Sequence, residues 1–199
     1  VMLDKDIIEE LIDAFSNLPG IGKKTAQRLT FHILQKAKDD GLHLSATLKN
    51  VIPNIKMCKK CRNLTQNDVC SICLDKARDI TRMCVVENPA DLLAIENNTN
   101  FKGIYFVLHG LLSPIDNIGP GELDLELLNK MIKDNNVKEL ILAMNYSVES
   151  DVTAHVISEM ISQSDISVTR IAQGIPIGSD LNYIDSNTLA TAFEKRTKY

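Results

Sequence analysis

The hydrophobic pattern changes its period partway along the chain. Over the first 55 residues, apolar positions recur every three or four residues, which predicts helices over about 5–16, 26–37 and 42–52. From residue 83 onward, short runs rich in Val and Ile alternate with segments of helical spacing. The predicted strands are 83–86, 103–108, 138–143 and 168–172, and the predicted helices are 89–96, 123–132, 152–161 and 187–195.

This alternation predicts an α/β domain with a mainly parallel sheet covered by helices. Asn88 and Pro89 suit the N-cap and first position of the helix after the first strand, and Ser186 can cap the last helix. Cys84 lies within the first apolar run and is predicted to be a buried strand residue. In sheets of this kind, functional groups gather at the carboxyl ends of the strands.

The composition is that of an ordinary globular protein, with 44% hydrophobic and 24% charged residues. No run of about 18 apolar residues is present, so we expect no membrane-spanning helix. The first ten residues lack the basic start and apolar stretch of a secretion signal, which predicts a cytoplasmic protein.

Charge is unevenly distributed along the sequence. Within the net charge of −4, residues 14–84 carry 13 Lys and Arg against 5 Asp and Glu, whereas residues 85–199 carry 8 against 16. A basic segment beside an acidic one is typical of two modules with different partners, and the basic one suits phosphate. Two solvated faces without partners would give the same counts, so the motifs must decide.

Four of the five cysteines form two Cys-x-x-Cys pairs, Cys58 with Cys61 and Cys70 with Cys73. Each pair lets two thiolates reach one ion from the same chain reversal, and two pairs complete the tetrahedron typical of Zn²⁺. The surrounding stretch is short and polar, so a structural metal would stabilise it where a hydrophobic core cannot. Disulfides and a redox pair are the alternatives, and a cytoplasmic location argues against disulfides.

A glycine-rich turn, Leu18-Pro19-Gly20-Ile21-Gly22, separates the first two predicted helices. Backbone N–H groups at the start of the second helix can face a phosphate, and the positive helix end favours one there. The turn resembles the helix-hairpin-helix motif, which holds a nucleic-acid backbone without reading bases. A plain glycine turn between packed helices is the alternative. The candidate DNA contacts are Gly20, Gly22, Lys23, Lys24 and Arg28.

Three acidic residues follow predicted strands. Glu87 comes directly after the first strand, and Glu149 and Asp151 come shortly after the third, at a spacing that lets both point to the same side. Three converging carboxylates could hold Mg²⁺. The alternative is that Glu149 and Asp151 are acids at a helix N-terminus, favoured by the helix dipole without any metal.

Taken together, these motifs resemble the RecR family of bacterial recombination mediators. The likeness covers nearly the whole chain in order. It is carried by the four cysteines and by LPGIGKKTAQRL at 18–29, VVENPADLLAIE at 85–96, LLSPIDNIGPGEL at 111–123, NYSVESDVTA at 145–154, VTRIAQGIPIGSDLNY at 168–183 and TLATAFEKR at 188–196.

The resemblance implies four parts: a helix-hairpin-helix module at 1–55, a four-cysteine zinc finger at 56–80, a Toprim domain at 81–176 and a segment for subunit packing at 177–199. It implies a dimer or tetrameric ring that encircles DNA. It also implies nucleoid association and work with RecO, and with RecF where present, to load RecA at single-stranded gaps. The family is not known as a catalyst.

Residue by residue, the resemblance implies DNA contact by Lys24 and Arg28, zinc ligation by the four cysteines, and partner contact by Glu87, Glu149 and Asp151. The family usually has Asn-Pro-x-x-Glu-Gly-Glu where this chain has Asn145-Tyr146-Ser147-Val148-Glu149-Ser150-Asp151. Losing the Pro and Gly changes the backbone options of this loop and argues against Mg²⁺ there. A Mg²⁺-dependent Toprim nuclease or primase-like enzyme is the competing hypothesis.

Overall fold

The structure, a computed structural model, describes residues 6–172 and 174–196. The chain divides into two compact units, residues 1–55 and 56–199. The finer boundaries at 80 and 176 stay predictions. Lys5, Gln173 and residues 197–199, which fall within predicted segments, lie outside the described residues.

Three helices form the N-terminal unit: α1 (Ile7–Ser16), α2 (Lys23–Lys36) and α3 (Lys38–Asn54). α1 starts where the Asp6 carboxylate accepts a hydrogen bond from the Ile8 N–H at 3.2 Å. Ile12, Ala26 and Thr30 are buried in this unit. All three helices were predicted, and their order is confirmed.

Helix α3 begins four residues earlier than the predicted 42–52 and ends two residues later. Only Ala37, with φ −138° and ψ 44°, interrupts the helical path after α2. No Gly or Pro marks this break, and Asp39 and Asp40 favour a helix start because carboxylates stabilise its positive end. None of the 17 residues of α3 is buried.

The second unit opens with a small module. Strands β1 (Lys56–Met57) and β2 (Leu64–Thr65) pair antiparallel, and the short helix α4 (Ser71–Leu74) follows. The remaining elements are β3 (Asp79–Val86), α5 (Pro89–Asn98), β4 (Gly103–Val107), α6 (Leu125–Asp134), β5 (Glu139–Ala143), α7 (Val148–Met160), β6 (Ser167–Arg170), a 3₁₀ turn (Leu181–Tyr183) and α8 (Ser186–Glu194).

The four long strands form one parallel sheet in the order β4-β3-β5-β6. Alternate residues of β3 enter different clusters, because side chains alternate between the faces of a strand. Met83 and Val85 join the larger core, whereas Cys84 and Val86 join a smaller one with Tyr105. The predicted α/β class and the buried position of Cys84 are confirmed.

Strand β4 forms one border of this sheet, and the small module reaches its end. The backbone N–H of Val107 donates to the carbonyl of Cys61 at 2.9 Å. The His109 Nε2 donates to the carbonyl of Arg62 at 2.7 Å. These bonds tie the cysteine-bearing module to the sheet.

Two helix starts differ from the prediction. α7 begins at Val148 instead of 152, because the Ser147 hydroxyl caps it by accepting from the Ser150 N–H at 3.1 Å. α8 is capped by Asp185, whose carboxylate accepts from the Thr188 N–H at 2.9 Å, so the predicted cap Ser186 is wrong. The predicted cap Asn88 is confirmed, since its side chain accepts from Asp91 N–H at 3.0 Å.

Candidate functional site

The turn between α1 and α2 depends on a glycine. The Ile21 N–H donates to the Leu18 carbonyl at 3.1 Å, which closes a four-residue turn with Pro19 and Gly20 at its centre. Gly20 has φ +79°, a conformation that glycine adopts without the steric cost of a Cβ. Pro19 followed by Gly20 is the pairing typical of a type II turn.

The start of α2 has free hydrogen-bonding capacity. Gly22 is its N-cap and has no side chain to accept from the first N–H groups. No acidic residue lies in the first turn of the helix. Orphan N–H groups and the helix dipole together make such an end attractive to an anion.

The cations predicted to contact DNA all lie at this end. Lys23, Lys24 and Arg28 are exposed, and within residues 6–172 and 174–196 none of them forms an ion pair. Lys24 and Arg28 are four residues apart in α2 and therefore share a face. Lysine near a helix N-terminus opposes the helix dipole, so an added phosphate would relieve this repulsion.

The four paired cysteines converge. The sulfur atoms of Cys58, Cys61, Cys70 and Cys73 all lie within 4.8 Å of one another, and Cys61 Sγ is 3.5 Å from Cys70 Sγ. A tetrahedral Zn²⁺ with bonds of about 2.3 Å places its sulfurs about 3.8 Å apart. The arrangement therefore fits one zinc ion held by four protein ligands.

The chemistry of the sulfurs fits as well. Hydrogen bonds with Cys70 and Cys73, and then burial, raise the pKa of the Cys61 thiol. A divalent cation would reverse that effect, because it stabilises the thiolates. The Cys70 N–H donates to Cys58 Sγ at 3.3 Å, the outer-shell bond that orients a ligand. Cys84 stays outside this set, and burial raises the pKa of its thiol to about 12.

The predicted acids do not converge. Glu149 and Asp151 lie in the first turn of α7, and helix positions two apart differ by about 200° around the axis. The prediction that both point to the same side is therefore wrong. Within the described residues, the four cysteines are the one set of three or more His, Cys, Asp or Glu that could share an ion. The three acids thus do not form a Mg²⁺ site here.

Glu87 lies at the end of β3, as predicted. It is partly buried, and this burial, followed by the charge of nearby Asp91, raises the pKa of the Glu87 carboxyl.

Sequence reasoning missed Arg170. This residue ends β6, and its guanidinium pairs with the Asp151 carboxylate, donates to Ser150 Oγ at 2.6 Å and lies 4.0 Å from the centre of the Tyr146 ring. No motif connects residues 19 positions apart. The one indication in the sequence was that Arg170 lies near the carboxyl end of a predicted strand, where functional groups gather in such sheets.

Family models match consecutive parts of the chain. They describe a RecR helix-hairpin-helix at residues 8–52, a RecR zinc finger domain with four cysteines at 55–75, a Toprim domain at 81–172 and a RecR C-terminal part at 174–197. The chain is 46% identical over 192 residues to the "Recombination protein RecR" of Methylococcus capsulatus, covering 96% of this chain and 97% of that protein. The chain belongs to the RecR family.

Two further proteins named "Recombination protein RecR" show similar identity. The one from Hydrogenovibrio crunogenus is 47% identical over 194 residues, covering 98% of both chains. The one from Xanthomonas oryzae pv. oryzae is 43% identical over 192 residues, covering 96% of this chain and 98% of that protein.

The RecR resemblance predicted from the motifs is thus confirmed. The RecR helix-hairpin-helix match spans most of α1, all of α2 and most of α3, and the Toprim match covers most of β3 and all of β4 to β6. The zinc-finger match and the sulfur geometry together assign a structural Zn²⁺ to the four cysteines. In the described part of this RecR family chain, no helix combines the length and the apolar character needed to cross a membrane.

Proposed function

We propose that this chain is a non-catalytic protein of recombinational DNA repair whose copies assemble around DNA. The main support for the proposal is the start of α2. No side chain caps the first N–H groups of this helix, and the cations Lys23, Lys24 and Arg28 lie in its first turns. This end presents positive charge and backbone donors, which suit the phosphate backbone of a nucleic acid of any sequence.

A single hairpin makes few phosphate contacts and therefore binds weakly and with strong salt dependence. Several hairpins on one assembly raise the effective concentration of each contact. We propose a dimer or a tetrameric ring for this reason.

Helix α3 supports self-assembly. Leu42 is 71% exposed and Ile52 is 69% exposed, and Leu44, Leu48 and Val51 are exposed as well. Several exposed large apolar side chains on one helix are typical of protein–protein contact. In a ring, a second copy of the chain would cover these side chains of α3. Analytical ultracentrifugation of the native protein and of a Leu42→Ser/Leu48→Ser variant tests this, and the variant is expected to sediment as a smaller assembly.

The acidic part of the chain serves protein partners in this proposal. Residues 85–199, with 16 acids against 8 cations, repel DNA and attract basic protein surfaces. We propose RecO as the partner that docks on the surface carrying Glu87, Glu149 and Asp151, with RecF joining where it is present. The outcome would be help in loading RecA at single-stranded gaps of nucleoid DNA in the cytoplasm.

The decisive experiment reverses charge on the exposed face of α2. Lys24→Glu/Arg28→Glu is expected to abolish binding to labelled gapped duplex at moderate salt, measured by fluorescence anisotropy. Lys130→Glu/Lys133→Glu on α6 is the matched control, since it changes net charge equally, and it should retain binding. Zinc content and assembly must stay unchanged in both variants. Retained DNA binding in the α2 variant would exclude the hairpin as the contact.

One assay separates this proposal from the competing enzyme. Incubation of the native protein with Mg²⁺ and labelled DNA or RNA is expected to leave both substrates intact. Cleavage that depends on Mg²⁺ and is lost in Glu87→Gln would identify a Toprim nuclease instead.

A further inference from the structure

The side chain of Arg170 is enclosed on three sides at the carboxyl edge of the sheet. Its side chain is only 23% exposed, and a charged side chain is rarely this well covered unless it is paired. The Tyr146 ring covers its face, Asp151 accepts at its edge, and the hydroxyl of the fully buried Ser150 accepts from Nη2 at 2.6 Å.

These contacts fix the segment that leads into α7. The Tyr146 hydroxyl donates to the Ile171 carbonyl at 2.6 Å, which attaches this segment to the residue after Arg170. Ser147, the residue after Tyr146, is the N-cap of α7, which begins at Val148. Tyr146 therefore has its ring against the guanidinium and its hydroxyl on the neighbouring backbone, so residues 146–151 have a defined path.

The same contacts divide the two acids of α7. Asp151 is countered by Arg170, so its charge is compensated within the chain. Glu149 is exposed, and within the described residues it has no ion pair. A basic partner meets one free carboxylate at this point of the surface, not two.

We propose that Arg170 is a positioning residue for the partner-binding surface: it holds the exposed Asp151 in an ion pair and so presents Glu149 as the contacting acid. The proposal rests on the proposed function, since it assigns unequal roles to two residues of that surface. Arg170 also supplies the positive charge that Asp151 needs, so the segment requires no divalent cation to stay ordered.

The first test needs no partner. Amide hydrogen exchange of residues 145–151 is measured in native protein, Arg170→Gln, Asp151→Asn and the double variant. Each single change is expected to speed exchange by about tenfold, because a charge-assisted hydrogen bond is lost. The double variant should exchange no faster than Arg170→Gln alone, since that change already removes the bond to Asp151. Millimolar Mg²⁺ should leave the native pattern unchanged.

Arg82 provides the matched control. It forms an ion pair with Glu139 at 2.7 Å across the neighbouring strands β3 and β5 and is more exposed than Arg170. Arg82→Gln removes the same charge from the same sheet and should not alter exchange at 145–151.

The second test uses purified RecO from the same source as the partner. Glu149→Gln is expected to weaken binding about fivefold or more and to flatten its salt dependence, because a contacting charge is lost. It should leave exchange at 145–151 unchanged. Asp151→Asn should leave the salt dependence as in the native protein while raising exchange.

The two tests separate the two proposals. If native protein does not bind RecO, the proposed partner surface is wrong, and the exchange data still judge the role of Arg170. Additive effects of Arg170→Gln and Asp151→Asn on exchange would overturn the positioning role. So would an Asp151→Asn variant that flattens the salt dependence as Glu149→Gln does, since Asp151 would then be a contact.

Discussion

The guanidinium of Arg62 donates to the backbone carbonyl of Leu108 at 3.1 Å, so the zinc module is bonded to the residue that follows β4. The same side chain donates to the carbonyls of Glu122, at 3.0 Å, and Leu123. Arg62 itself has φ +62°, within the turn that carries Cys58 and Cys61. One residue therefore links the metal-binding turn, the sheet and the start of α6.

We predict that Arg62→Met lowers the free energy of unfolding by about 2 to 3 kcal/mol, because two partly buried carbonyls and one exposed carbonyl lose their donor. Urea unfolding followed by circular dichroism measures this change. Arg82→Met serves as the control and should cost less than about 1 kcal/mol, because its ion pair with Glu139 is partly exposed to solvent. An equal loss of unfolding free energy in both variants would mean that the Arg62 hydrogen bonds contribute no more to stability than a partly exposed ion pair.

Gly22→Ala should weaken DNA binding at least about tenfold while leaving the fold intact. A Cβ at this position meets nothing within 4 Å, and its φ of −77° suits any residue. Alanine is a poorer N-cap than glycine, which lowers stability, but it also restricts the unfolded chain, which raises stability. The free energy of unfolding should therefore change by less than about 1 kcal/mol. Loss of affinity would then report the close approach of a phosphate to the backbone.

Gly121→Ala is the matched control for that experiment. A Cβ there also meets nothing within 4 Å, and Gly121 lies in the other unit. Anisotropy titrations should give native affinity for this variant. A Gly22→Ala variant that binds as well as Gly121→Ala would place the phosphate away from the start of α2.

Purified protein should contain about one zinc ion per chain, measured by mass spectrometry of the metal. Cys73→Ser is expected to lose the ion and to unfold at a lower temperature, because structural zinc sites contribute on the order of 10 kcal/mol in small modules. Cys84→Ala should keep the zinc, since Cys84 lies outside the cluster. Zinc retained in full by Cys73→Ser would contradict the four-ligand assignment.

The ion pair between Arg78 and Glu96 should give stability a defined pH dependence. Hydrogen bonding from Arg78 is the main cause that lowers the pKa of the Glu96 carboxyl, and Tyr105 adds a hydrogen bond at 2.9 Å. Arg78 is only 7% exposed. A carboxyl whose pKa is lower in the folded state than in the unfolded chain stabilises the fold at pH values above the unfolded pKa, which is about 4.3 for Glu. This stabilisation is lost as the pH falls through the pKa of the folded state.

Glu96→Gln should therefore destabilise the protein by about 1 to 2 kcal/mol at pH 7, and the difference from native protein should shrink as the pH falls below about 4. Unfolding of both proteins at each pH isolates this difference, because acid release of zinc affects them alike. Glu126→Gln, an exposed acid of α6, is the control. A difference that is constant with pH would exclude the ionised pair as its origin.

Local signals in the sequence predicted much of this fold. Two Cys-x-x-Cys pairs specify their own geometry, and Val-rich runs such as 83–86 mark buried parallel strands. Helix starts were predicted less well. The onset of α7 depends on the Ser147 cap, which lies outside the apolar pattern, and the break at Ala37 has no glycine or proline to mark it.

Contacts between distant residues could not be predicted. The bond from Arg62 to Leu108 spans 46 positions, and the pair of Arg170 with Asp151 spans 19. Each depends on how elements distant in the sequence pack against the sheet, and hydrophobic periodicity does not encode that packing. The sequence left open whether the acids converge or lie at a helix N-terminus, because α7 was predicted to begin after Asp151. Its actual start at Val148 places Glu149 and Asp151 in its first turn.

The bond from Val107 to Cys61 also has a consequence for cells short of zinc. Among the described residues, β4 has a partner strand on one side only, and the ordered metal-binding turn occupies part of its other side. Without the ion, that turn would loosen and leave backbone donors and acceptors of β4 open to strands of other molecules. Metal starvation would then remove this protein by aggregation before its N-terminal helices lost their shape.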